Sequence, residues 1–156
     1  MNILGIDPGT NCGWALLDPK GARIMSGTWD LKPRRHEGGG MRYLRVRRLL
    51  AEILATPAGV MAVGYEEVRR HAGTDAAHVY GGIVAVISSV CEERCVPYMA
   101  IPVGTVKKTA TGRGNADKLA MIEAAMGKWA LATITDDNEA DALWIAECTR
   151  SEVVGV

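Results

Sequence analysis

The chain has no net charge, no cysteine pair at metal-knuckle spacing, no internal repeat and no apolar run long enough to cross a bilayer. Each absence removes a class. Lys plus Arg is 18 and Asp plus Glu is 18, so total charge gives no argument for a nucleic-acid partner. Cys12, Cys91, Cys95 and Cys148 are too scattered for a zinc knuckle. Cys91 and Cys95, four apart in a helical stretch, read as buried packing rather than a disulfide. No signal-peptide pattern precedes the first strand, and Met1 leads straight into it, so a reducing cytoplasmic compartment and no membrane association are expected. Phenylalanine is missing altogether.

What is present is a globular composition. With 156 residues, 48% of them hydrophobic, the chain suits one domain (residues 1–156) with a sizeable core. Strands are expected at Asn2 to Asp7, Trp14 to Asp18 and Ala22 to Trp29, joined tightly enough for an antiparallel meander. A polar, glycine-rich loop from Lys32 to Gly40 reads as mobile. A helix follows from Met41 to Ala55, with Val46, Leu49, Leu50, Ile53 and Leu54 as its apolar stripe. Val60 to Glu66 reads as a central strand, Asp75 to Arg94 as a long helix and Tyr98 to Ile101 as a short strand. Gly81-Gly82 in the long helix would let another backbone approach. A short helix is expected from Val103 to Thr109, and another to about Met126, capped by Asn115, with Leu119, Ile122 and Met126 facing inward. Asp136 caps a last helix from Asp137 to about Thr149, with Glu139 completing a capping box, and Val153 to Val156 reads as a frayed tail.

Four acids carry the chemistry. Asp7 and Glu66 each end an apolar run, while Asp137 and Asp141 open the last helix one turn apart. An Asp before Pro8-Gly9 can serve as a turn former, and acids in a first helical turn are favoured by the helix dipole. Asp141 is harder to explain that way: it lies further into the helix, between Ala140 and Ala142, in a stretch suited to packing on a sheet. Carboxylates at the ends of hydrophobic strands are costly to desolvate unless positive charge sits between them. A pair of hard divalent cations meets that need, which points to metal-assisted phosphoryl chemistry. Basic residues cluster as well, at Arg34, Arg35, Arg42, Arg45, Arg47 and Arg48, at Arg69 and Arg70, and at Lys107, Lys108, Arg113 and Lys118.

Gly5-Ile6-Asp7-Pro8-Gly9-Thr10 with Gly13, then Glu66-Glu67-Val68, Val106-Lys107-Lys108 with Lys118, and Ala140-Asp141-Ala142-Leu143 follow one another in order. In that order the chain resembles, nearly end to end, the RuvC-like Holliday junction resolvases of the ribonuclease H-like superfamily. Its shortness and the run from Asp136 to Ala142 look like the phage-borne branch. The resemblance implies an α/β fold: a five-stranded mixed sheet, three strands antiparallel and then parallel ones, flanked by helices. It implies an endodeoxyribonuclease selective for Holliday junctions or other branched DNA, making paired cuts that leave 5′-phosphate and 3′-hydroxyl ends. It further implies two magnesium ions, replaceable by manganese, held by Asp7, Glu66, Asp137 and Asp141, with Asp7 bridging them. The family usually has an acid at the place of Asn138, so either Asp137 or the Asn138 amide oxygen is the fourth ligand. Lys107 and Lys118 would hold the scissile phosphate, and Arg34, Arg35, Arg69, Arg70, Lys108 and Arg113 would position DNA. A homodimer through the helix from Asp75 to Arg94 is expected by analogy. Arg69 stands where the family commonly places an aromatic wedge.

Two other classes stay open on sequence. A non-catalytic branched-DNA-binding module is compatible with Asn138. The glycine-rich turn after Asp7 is also similar to the first phosphate loop of actin-like ATPases, although the second domain and second loop of those proteins have no counterpart.

Overall fold

In the computed structural model, which describes residues 1–130, 134 and 136–155, one sheet runs in the order β3-β2-β1-β4-β5. β1 (Asn2–Asp7), β2 (Asn11–Leu17) and β3 (Arg23–Asp30) form the antiparallel meander, and β4 (Val60–Glu67) and β5 (Tyr98–Pro102) lie parallel to β1 and outward from it. β2 begins earlier than its apolar run suggests, because Asn11 to Gly13 are already paired with Asp30 to Thr28 of β3.

Two cores sandwich the sheet. On one face α1 (Gly40–Leu54) and α2 (Thr74–Glu93) cover Leu4, Ile6, Leu16 and Val63. On the other, α3 (Val103–Thr111), α4 (Lys118–Trp129) and α5 (Asp137–Val154) enclose Ala15, Leu17 and Ile101. α5 lies buried along most of its length, Ala142 to Thr149 included, which is why its sequence shows no one-sided apolar stripe.

That burial depends on close approach. A Cβ on Gly5 would collide with the backbone of Ala142 and Ala146, and one on Gly13 with the backbone of Asn138. The helix therefore rests directly on β1 and β2, with Ala142 and Ala146 as the small residues that permit it.

Several local expectations are corrected. α4 is capped by Asp117, whose carboxylate accepts from the Ala120 amide at 2.9 Å, not by Asn115. Ile122 and Met126 pack against the core as expected, with Met121 and Ala125 buried between them, whereas Leu119 is 63% exposed. Asp136 does cap α5, but Glu139 turns away to Ser26 and Arg23 of β3 instead of completing a capping box. α5 continues through Val153 and Val154, and Val156 of the expected frayed tail lies outside the described residues. The loop before α1 is clasped, since Arg45 donates to both oxygens of Glu37 and to the Lys32 carbonyl. Gly82 receives the ring of Tyr43 rather than a backbone, and Gly81 faces open space. Cys91 is buried, whereas Cys95 lies past the end of α2, exposed and left-handed at φ 53°.

α2 also corrects the expectation about apolar runs, being long and apolar enough by length and composition to cross a membrane. Its alanines, valines and glycines create that resemblance. Ile83, Ile87, Val90 and Cys91 are buried within the fold, against the sheet and α1.

Candidate active site

Asp7 closes β1 and Glu66 lies near the end of β4, and the parallel register pairing Ile6 with Tyr65 sets these next two residues side by side. α5 supplies Asp137 and Asp141 from above, seated by the contacts at Gly5 and Gly13. The arrangement is electrostatically costly. Burial first, then the charges of Glu66, Asp141, Asp137 and Asp136, hold the Asp7 carboxyl well above the usual range. Burial, with Glu66 and Asp137, pushes Asp141 up to about 7, and burial raises Glu66 as well. Among the described residues no hydrogen-bond donor meets the carboxylates of Asp7, Glu66 or Asp141, although Lys107 of α3 offsets Glu66 and Asp141 from a distance.

The first turn of α5 shows how Asp137 and Asn138 differ. Asp137 takes the ammonium of Lys118 at 2.7 Å, and the exposed Lys118 is correspondingly held above its ordinary range by that hydrogen bond. Asn138 turns its amide nitrogen to Asp136 at 2.8 Å, beneath the same oxygen that caps the helix. Asp136 also accepts from the Thr28 hydroxyl, so it is anchored to β3 while adding to the negative field at Asp7. Sequence reasoning assigned Asp136 a capping role alone; its neighbourhood with Asp137 was the available signal.

Donor chemistry and charge decide whether a divalent cation suits these acids. Among the described residues no three acid, histidine or cysteine groups are already gathered at coordinating distance. The carboxylates nonetheless lie close enough that Glu66 and Asp137 raise the proton affinity of both Asp7 and Asp141, and they offer only hard oxygen donors. Those residues fit a divalent cation, with Asp137 needing to exchange Lys118 for it.

The basic residues divide. Lys107 and Lys118 belong to the acid centre by their effect on its charges. Lys108 and Arg113 are exposed on α3 and the turn after it, and Arg69 and Arg70 are exposed after β4, Arg69 reaching Glu67 at 3.4 Å. Arg34 and Arg35 are exposed in the clasped loop before α1 and do not enter the centre.

Acid clusters of this kind have a measurable cost. The unfolded chain gives up these protons near pH 4, whereas Asp7, Glu66 and Asp141 retain theirs to higher pH in the fold. The folded state thus binds more protons between about pH 4 and 7, and stability without metal falls as pH rises through that window. The lowered acids, Asp136 and Glu147, complete their opposing effect below that range. Thermal melts in EDTA are expected to show Tm decreasing from about pH 5 to about pH 8. Asp141→Asn should flatten the slope and melt at least about 3 °C above the unaltered protein at the upper end. A Tm that climbs across the window would contradict the cluster.

Residues 3–149 match the family model of the crossover junction endodeoxyribonuclease RuvC. The chain belongs to the RuvC family. The fold agrees: a Thermus thermophilus RuvC in complex with a Holliday junction substrate superposes with a TM-score of 0.82 at 26% identity, over 94% of this chain and 90% of that one. A second Thermus thermophilus RuvC structure gives 0.81 at 25% identity, over 99% and 97%. The yeast mitochondrial Holliday junction resolvase Ydc2 shares the fold at a TM-score of 0.65 and 15% identity, over 97% and 78%. The mixed sheet is therefore ribonuclease H-like, and this RuvC-family chain is a hydrolase, a crossover junction endodeoxyribonuclease. Neither an ATPase nor a non-catalytic module is needed to account for it.

Proposed function

We propose that the chain resolves four-way DNA junctions by two matched, divalent-metal-dependent phosphodiester cuts, each leaving a 5′-phosphate and a 3′-hydroxyl. The observation that carries this is the half-buried set of Asp7, Glu66 and Asp141, in which Glu66 presses on both Asp7 and Asp141, with Lys107 acting on it from α3. Asp7, Glu66, Asp141 and Asp137 are the residues that would hold magnesium, or manganese in its place; Asn138 is the lesser choice because its amide is committed to Asp136. Bound there, the cation polarises phosphoryl oxygens and makes water acidic enough to serve as nucleophile at neutral pH.

The chain's own groups orient the reaction. Lys118, released from Asp137, and Lys107 hold the scissile phosphate and offset its developing charge. Lys108, Arg113, Arg69, Arg70, Arg34 and Arg35 are exposed cations free to follow the DNA backbone without reading bases. Two cuts in one junction call for two centres, and α2 supports a C2 homodimer: Gly81, Ala85 and Ser89 leave a small-residue face exposed on an otherwise apolar helix. Action on a phage or bacterial genome in the cytoplasm suits this activity.

Cleavage of four-way, three-way and linear duplex DNA of shared sequence, with magnesium and manganese in parallel, tests the proposal. Paired incisions in the four-way DNA, lost in EDTA and absent from the linear duplex, are expected. Equal cutting of all three would remove the structural selectivity.

A further inference from the structure

β3 is an edge strand two places from β1, and it carries none of the four acids. It nonetheless holds the turn of α5 that carries two of them. In the β2–β3 register Thr28 stands beside Gly13 and Ser26 beside Ala15. Two apart, their side chains leave the same face of the strand, toward α5. The Thr28 hydroxyl donates to Oδ2 of Asp136, and the Ser26 hydroxyl donates to Oε1 of Glu139. Arg23 donates from Nε to the Ser26 oxygen and sets its guanidinium 3.7 Å from the same Glu139 oxygen. Asp136 works in two directions. Its Oδ1 accepts from the Asn138 amide at 2.9 Å and from the Asn138 side chain at 2.8 Å, which leaves Oδ2 for β3.

Such ties matter more at this turn than further along the helix. From Ala142 to Thr149 every residue is buried, and packing locks α5 in place. Asp136 to Glu139 and Asp141 are only half-buried, so packing grips them less. Gly5 and Gly13 let the helix come close, which sets its height over the sheet but not its rotation. The other polar tie at this turn, Lys118 to Asp137, is the one a cation must displace. The β3 contacts stay when it goes. Glu139 lies about 160° around the helix from both Asp137 and Asp141, so a hold on it opposes any turning of the acids. A swing of about 10° moves a carboxylate about 6 Å from the helix axis by about 1 Å.

We infer that Thr28 and Ser26 are positioning residues of the nuclease: by holding Asp136 and Glu139 they set the rotation of the first turn of α5, and with it the places of Asp137 and Asp141. The inference rests on the function proposed above and extends the cutting machinery to an edge strand that supplies no metal ligand.

Four variants test it. Thr28→Val nearly keeps the shape of the side chain and removes its bond, Thr28→Ser keeps the hydroxyl, and Ser26→Ala removes the second tie. Thr56→Val deletes a hydroxyl bonded to the Ile53 carbonyl at 2.9 Å, ahead of β4, and controls for a lost hydrogen bond alone. Mn2+ is titrated without DNA by the loss of its free-ion EPR signal, and junction cleavage is measured at a temperature well below every Tm. Thr28→Val and Ser26→Ala should each need roughly tenfold more Mn2+ for half-saturation. Each should lose roughly ten- to a hundredfold in kcat at saturating metal, with KM for the junction unchanged. Thr28→Ser and Thr56→Val should match the unaltered protein in both. Should Thr28→Val fail to fold, Ser26→Ala decides alone. Losses no larger than those of Thr56→Val, no rescue by Thr28→Ser, or a raised KM with kcat unchanged overturns the positioning role and leaves the nuclease. The Mn2+ shift reads the hold of β3 without cleavage, so an unaltered protein that binds Mn2+ yet cuts no junction overturns the nuclease alone.

Discussion

Asp7→Asn protein, freed of host nucleases, is expected to bind four-way junctions as tightly as the unaltered chain and to cut them at less than about a thousandth of its rate. Asp7 is the acid on which Glu66, Asp141, Asp137 and Asp136 all act, so it stands at the centre of the negative field. The amide keeps the shape of the side chain and removes its charge, leaving any cation without its most central ligand. The cations proposed to follow the DNA are exposed and independent of that carboxyl, which is why binding should persist. The same substitution removes a buried group whose ionisation is disfavoured, so the variant should also melt higher than the unaltered protein near neutral pH in EDTA. Gel-shift titration, cleavage of a labelled junction and a thermal melt on one preparation check all three parts. Retained cleavage would displace Asp7 from the centre; a lower melting temperature would contradict the burial argument.

Gly13→Ala is expected to be nearly as damaging although it changes no charged group. The added methyl would fall on the backbone of Asn138, in the first turn of α5. Backbone cannot swing aside as a flexible side chain can, so the helix start must lift. Overpacking of this kind costs about 1–3 kcal/mol, or roughly 2–12 °C in Tm for a chain of this size. Asp137 and Asp141 ride on the segment that lifts, and a misplacement of about 1 Å is enough to lower a rate about a hundredfold. Cleavage should therefore fall far more than stability does when both are measured well below the melting point. Gly127→Ala is the matched control: that glycine is in α4 with nothing near its missing Cβ, so the change should stabilise by about 0.5–1 kcal/mol and spare activity. Gly13→Ala protein that cuts normally would show that α5 can be reseated without harm.

The succession of elements, the meander and the interior place of β4 were legible because each follows from local pattern: apolar runs, tight turns and helical spacing. The positions of Asp7 and Glu66 were legible for the same reason, since a carboxylate ending an apolar run is a local anomaly. What the pattern did not carry is the phase and seating of helices. Leu119 looks like a core residue by spacing, yet the face of α4 is set by α5 and its Trp144, whose indole reaches the Met121 carbonyl at 3.4 Å. Glu139 fits a capping box by position, but Ser26 and Arg23, more than a hundred residues earlier, are the stronger partners. The glycines at 5 and 13 stood out only as parts of a family resemblance and are the floor beneath α5. The tie from Thr28 to Asp136 likewise joins segments whose meeting no local window reveals.

The acid centre is divided between β1 and β4, which carry Asp7 and Glu66, and α5, which carries Asp137 and Asp141, and the close approach at Gly5 and Gly13 seats one on the other. A nascent polypeptide still holding α5 within the ribosome carries Asp7 and Glu66 without Asp137 or Asp141. Such a half-made molecule lacks two of the four acids to which cleavage is ascribed, so the proposed activity would await the last helix.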